Sequence, residues 1–125
     1  MIKKEAKFQV LWNAYVREKK LYGFFELKQT DQESFPFSKI ETVQYDGLQA
    51  TEKNGLVWKF SDTDMRPKPC DSVSIPPLPS YLVIKFIDGF YMIRFQKIVD
   101  LREEGGISIK RSVAEKLAEK IIKIN

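Results

Sequence analysis

The chain has 125 residues, 43% of them hydrophobic, nine phenylalanines and a formal net charge of +4, enough apolar material for one core and a single domain spanning 1–125. A lone cysteine, Cys70, and no histidine exclude an internal disulfide, a zinc site of ordinary ligands, and Ser-His or Cys-His nucleophilic catalysis. The basic balance favours a polyanion such as nucleic acid as partner, and any metal would be a hard cation on oxygen ligands.

No leader segment and no apolar run of ~20 residues is visible, so a cytoplasmic protein with no membrane partner is expected. Residues Lys3 to Lys19 read as a helix, with Phe8, Leu11, Trp12 and Tyr15 at helical spacing. Glu5 lies at the end of that apolar stripe. It is either a first-turn glutamate favoured by the helix dipole or a carboxylate with a task. The first twenty residues hold six lysines and arginines against two glutamates, a face suited equally to solvation and to phosphate contact.

The stretch Tyr22 to Gln44 follows. Tyr22, Phe24 and Phe25 predict a buried strand, and alternation puts Glu26 and Lys28 side by side on one face of it. Thr30 either orients that strand or simply favours β structure. After a short loop with Ser34 and Pro36, Ser38 to Glu41 has the spacing of a capping box, predicting a helix from Ser38 to about Lys53 that ends at Asn54-Gly55. Gln44 lies about two turns into it.

Leu56 to Phe60 predicts a strand. Ser61 to Ser80 holds five of the six prolines and reads as a long irregular connection containing Asp62, Asp64 and Asp71. Tyr81 to Phe86 and Phe90 to Phe95 read as strands joined by Ile87-Asp88-Gly89, a hairpin signal. Gly105-Gly106 marks a loop. Ser112 to Glu115 is a second capping box, opening a last helix with Val113, Leu117, Ala118, Ile121 and Ile122 on one broad face. Lys110 and Arg111 before it read either as a phosphate grip beside a helix N-terminus capped at Ser112 or as a solvated basic loop. Trp12 and Trp58 read as core residues rather than base-stacking platforms.

A Glu-x-Lys pair on a largely apolar strand has a specific use. The glutamate binds a divalent cation, and the lysine stabilises charge or helps activate water in phosphodiester cleavage. As a bare pattern it also marks ordinary ion pairs, but burying such a pair is costly unless something uses it.

The run Phe25-Glu26-Leu27-Lys28-Gln29-Thr30, then Ser34-Phe35-Pro36-Phe37, then Gln44, resembles the RecU-type Holliday junction resolvases, above all their short phage-type relatives. The likeness extends through Trp58-Lys59-Phe60-x-Asp62, Pro69-Cys70-Asp71 and Tyr81 to Phe86. It ends at Gly105-Gly106 with Ser108, Lys110, Arg111 and Ser112. The resemblance implies a PD-(D/E)xK (restriction-endonuclease-like) fold, a mixed central sheet flanked by helices. It also implies a homodimer and Mg²⁺-dependent cutting of four-way DNA junctions, with Mn²⁺ as substitute. It makes Glu26 a metal ligand, Lys28 the catalytic lysine and Gln44 a neighbour of the site, and Glu5 would match an N-terminal helix glutamate brought to the metal. One departure stands out: the aspartate that longer members carry thirteen residues before the glutamate is here Asn13. Asp71 and then Asp62 are the candidates to replace it; each is equally an ordinary loop aspartate making turn hydrogen bonds.

Overall fold

The computed structural model describes residues 4–61 and 67–124, with the side chains of the first helix from Phe8 onward. In chain order the elements are α1 (Lys4–Lys19), β1 (Phe24–Gln29), β2 (Ser34–Pro36), a 3₁₀ turn (Phe37–Lys39), α2 (Thr42–Asn54), β3 (Leu56–Lys59) and β4 (Ser72–Ile75). Then come β5 (Ser80–Phe86), β6 (Gly89–Arg94), α3 (Phe95–Glu103), β7 (Ser108–Lys110), α4 (Arg111–Leu117) and β8 (Lys120–Lys123). The main sheet has the order β1-β5-β6-β8. Strand β1 runs parallel to β5 and the other neighbours are antiparallel. Strands β2 and β7 form a small antiparallel pair, as do β3 and β4. The fold is mixed α/β, with four helices among the described residues.

Alternation along the central strands divides the core in two. Leu82, Ile84 and Phe86 of β5 and Tyr91 and Ile93 of β6 face α2, α3 and α4, meeting Leu48, Ile98 and Ala114. Tyr81, Val83, Phe90 and Met92 face the other way and are covered by Phe8 and Trp12 of α1. Each such side chain, fully buried, contributes about 1.5–3 kcal/mol, so the sheet is held from both faces. No helix among the described residues is long and apolar enough to cross a membrane.

Helix α1 stops through a left-handed residue: Lys20 has φ 55, and the Leu21 N–H donates to the Val16 carbonyl at 3.0 Å. This is the bond that satisfies an orphan carbonyl when the chain reverses after a helix. It turns the chain straight into β1.

Several expectations need correction. Tyr22 lies outside β1 and is 73% exposed, and β1 is half-buried throughout rather than buried. Ser38 caps nothing. Phe37 and Ile40 are both buried, a 3₁₀ turn puts residues three apart on one side, and α2 then starts from Glu41. The proline-rich connection contains β4, whose Ser-Val-Ser-Ile alternation pairs with β3. Phe95 is not the end of a strand but the first residue of α3, with Ile98 and Val99 buried beside it at helical spacing.

The last predicted helix is cut short. It ends at Leu117, and Ile121 and Ile122 belong to β8. There Ile121 packs into one core cluster and Ile122 into the other, as strand neighbours must. Trp58 is not core: it is 57% exposed, whereas Trp12 is 1% exposed.

Lys20→Gly is expected to stabilise the protein by about 1 kcal/mol. The left-handed conformation costs a non-glycine residue about 1–2 kcal/mol, partly offset by glycine's greater freedom in the unfolded chain. Urea denaturation of the two proteins measures the difference.

Candidate functional site

Two ties seat α2 across β1 and β5. The buried Ser80 hydroxyl donates to the Leu48 carbonyl at 2.6 Å. Glu52 accepts from the Ser80 N–H at 3.0 Å and from Arg94 at 2.7 Å. With its second half fixed in this way, the first half of α2 lies over β1 and presents Gln44 to the strand. Gln44 Nε2 donates to Glu26 Oε1 at 2.8 Å, while Gln44 Oε1 accepts the Glu41 backbone N–H at 3.3 Å. That second bond satisfies a group at the helix start and fixes which way the amide points.

Lys28 lies beside the same carboxylate, its Nζ 3.6 Å from Glu26 Oε1, with the two side chains 16% and 25% exposed. Glu26, Lys28 and Gln44 therefore converge. They do so on the edge strand of the sheet, in register with Leu82 and Ile84 of β5. The strand is followed by a turn that Thr30 pins: its backbone N–H donates to Lys85 O at 3.0 Å, and its hydroxyl bonds Ser34 O and the Gln32 N–H. Thr30 thus ties the end of β1 to β5 and to the turn that follows.

Glu26 is not sealed in the core. It lines two adjoining hollows of about 240 and 380 Å³, each with room for several waters. Gln44, Gly47 and Thr51 of α2 line one. Gln9, Trp12 and Asn13 of α1 line the other. Asn13 thus reaches the neighbourhood of Glu26 from a helix. Gln9 was not singled out from the sequence; the signal was there, two amides four residues apart on one helix face. The buried Trp12 Nε1 has no hydrogen-bond partner among the described residues.

The remaining candidates are placed differently. Asp71 sits in the β3–β4 hairpin, 91% exposed and 3.0 Å from Lys68. Asp62 and the side chain of Glu5 lie outside the described residues. A carboxylate with amide side chains lining the same hollows is a set of the hard type that suits Mg²⁺ or Mn²⁺. Among the described residues no group of three or more acidic, cysteine or histidine side chains is assembled.

In the β2–β7 pair, Lys110 closes β7 and serves as the helix cap residue, so Ser112 falls inside α4 and caps nothing. Lys110 and Ser112 are exposed. Arg111 is held internally: its Nε donates to Glu33 at 2.9 Å, its guanidinium lies 3.5 Å from Asp88, and its backbone N–H donates to Glu33 O at 2.7 Å. Asp88, in the β5–β6 turn, also accepts from Lys123 at 2.7 Å and from the Tyr91 hydroxyl at 2.9 Å. Burial pushes the Asp88 carboxyl up, but the bonds from Lys123 and Tyr91 outweigh it and hold the group below its ordinary range. The bond to Asp88 raises Lys123 in turn.

No family model, curated protein or solved structure matches the chain.

A depressed folded-state pKa at Asp88 contributes stability that is present above its unfolded value of about 3.9 and lost as pH falls through the folded value. Asp88→Asn is expected to cost about 1 kcal/mol at neutral pH, the low end for bonds to a charged group because the cluster is partly exposed. The gap from the unmodified protein should narrow in acid. An equal gap in urea denaturation at neutral and strongly acidic pH would show that charge is not what holds the cluster.

Proposed function

We propose that the chain is a structure-specific endodeoxyribonuclease of the PD-(D/E)xK type, Mg²⁺-dependent, which resolves four-way DNA junctions. The observation that carries this reading is the convergence of Glu26, Lys28 and Gln44 on an edge strand open to two hollows. A half-buried Glu–Lys pair gives up hydration, and a structural ion pair recovers little of it at a partly wet edge. A phosphodiester-cutting site has use for both charges.

In this reading Glu26 holds the cation, with Glu5 the first candidate for a second carboxylate and the amides of Asn13 and Gln9 nearby. Asp71 lies exposed beside Lys68 in the β3–β4 hairpin. A cation held there would supply positive charge against the phosphate and the leaving oxygen. Lys28 places its ammonium beside the attacked phosphate and stabilises the charge that builds there. Gln44 keeps Glu26 in one orientation. DNA would be held through its backbone and shape, with the exposed Lys110 and Ser112 as contacts; Arg111 already spends its guanidinium on Glu33 and Asp88.

Asn13 favours a second reading, a nuclease-like domain that binds branched DNA without cutting it, because an amide stands where a carboxylate would strengthen cation binding. A labelled four-way junction with and without Mg²⁺ or Mn²⁺ separates the two. The first reading expects paired symmetric nicks that need the metal. Glu26→Gln and Lys28→Met should each lower cutting by about 10³-fold or more, and Gln44→Ala by about tenfold, with junction binding retained. Tight binding without nicks under either ion would sink the enzyme and leave the binder. Cutting of linear duplex or flaps as fast as junctions would remove the structure specificity.

A further inference from the structure

Gly47 stands in the middle of α2, where glycine is the poorest helix former after proline. Packing is not the reason for it. A Cβ built at Gly47 meets nothing within 4 Å, so a larger residue would fit the fold and favour the helix. Gly23 is different: a Cβ there would lie 2.7 Å from the Pro79 carbonyl oxygen, and the fold itself demands glycine. Both line the hollow of about 380 Å³ that Glu26, Gln44 and Thr51 share. Gln44, Gly47 and Thr51 follow one another at three- and four-residue spacing, which is one face of the helix. A bare position between two polar side chains, on the wall of a cavity, lets the backbone of a ligand come close.

The hollow runs along β1. Gln44 meets Glu26 at one end. Further on, Leu48 and Glu52 bond Ser80, which is in register with Phe24. Past Phe24 and Gly23 comes Tyr22, 73% exposed, in the turn that joins α1 to β1. Arg17, Lys19 and Lys20 are exposed in the same stretch, with Glu18 the one acid among them. None of these three cations enters an ion pair among the described residues. One end of the hollow thus holds the Glu26–Lys28 pair, and the other opens beside a flat ring amid positive charge.

We infer that this hollow is the track of one unpaired DNA strand, passing from Glu26 and Lys28 over Gly47 to Tyr22. There a base stacks on the tyrosine ring, and Lys19 and Lys20 meet phosphates. Tyr22 stands four residues before Glu26, at most ~14 Å along the chain, a reach of a few nucleotides. Glu52, next to Thr51, is neutralised by Arg94 and adds little repulsion. Bases inside a duplex are stacked and offer the ring no free face, whereas a branch point frees some of them. The inference deepens the junction-cutting reading and rests on it for the cutting; the track would supply the preference for branched over linear DNA.

Fluorescence anisotropy of a short labelled oligothymidylate, without divalent metal, reads the track apart from any cutting. The unmodified chain should bind it more tightly than a duplex of the same length. Tyr22→Ala should weaken binding by about tenfold and Tyr22→Trp should keep it, as for a stacking platform. Gly47→Leu should weaken it by about tenfold or more while raising the urea midpoint, since leucine is the better helix former. Gln49→Leu, two residues on and so on the opposite side of α2, should leave binding unchanged. A chain that binds no oligothymidylate, or that prefers duplex, overturns the inference. So does equal binding by Gly47→Leu and Tyr22→Ala; metal-dependent nicking of junctions by those variants would then leave the enzyme reading standing. Binding that depends on Gly47 and Tyr22 in a chain that cuts no junction would uphold the track and remove the junction reading, so the two fail separately.

Discussion

A charged pair held half out of water at the edge of an apolar sheet is the constraint around which this structure is arranged. Glu26 and Lys28 share a face with Phe24, which packs against the core cluster that contains Leu48 of α2. Placing a carboxylate there is tolerable only with partners in fixed positions. Lys28 supplies opposite charge, and Gln44 supplies a donor. Gln44 can do so because Ser80 and Arg94 lock the other half of α2 onto the central strands. The polar contacts between α2 and β5 thus work at a distance, setting the helix so that one amide meets one carboxylate.

The same constraint explains why the site is open on two sides. Among the described residues β1, an edge strand, has a strand neighbour only at β5, and α1 and α2 each line a hollow beside Glu26. Glu26 thus shares one hollow with the amide side chains of Gln9 and Asn13 and the other with that of Gln44.

How much of this was legible in the sequence depended on the kind of signal. Glu26 and Lys28 could be paired on one face because strand alternation is strict, and Gln44 could be placed on the following helix because a capping-box spacing before it and Asn54-Gly55 after it bracket a helical stretch. The 3₁₀ turn could not be seen: Ser38 has the right neighbours for a cap, and only the need to bury both Phe37 and Ile40 displaces it. Helix α3 begins directly from β6 with no capping side chain, so the signals that mark a helix start are missing. Strand β8 was read as helix because Val113, Leu117 and Ile121 continue a helical spacing; the competing demand, one isoleucine for each core, appears only once the sheet is assembled. Asn13 looked misplaced in a helix, since sequence order alone does not say that α1 lies against β1.

The order of the sheet has a consequence for how the protein is made. Strands β5 and β6 meet through a two-residue turn and can pair as soon as both exist, whereas Glu26 faces Leu82 across a connection that includes α2 and the whole β3–β4 hairpin. Closing so long a loop is entropically slow, and pairings of that kind form after local ones. A chain leaving the ribosome therefore carries its glutamate and lysine unsupported until most of the molecule has emerged. The cluster of Glu26, Lys28 and Gln44 is complete only when folding is nearly done.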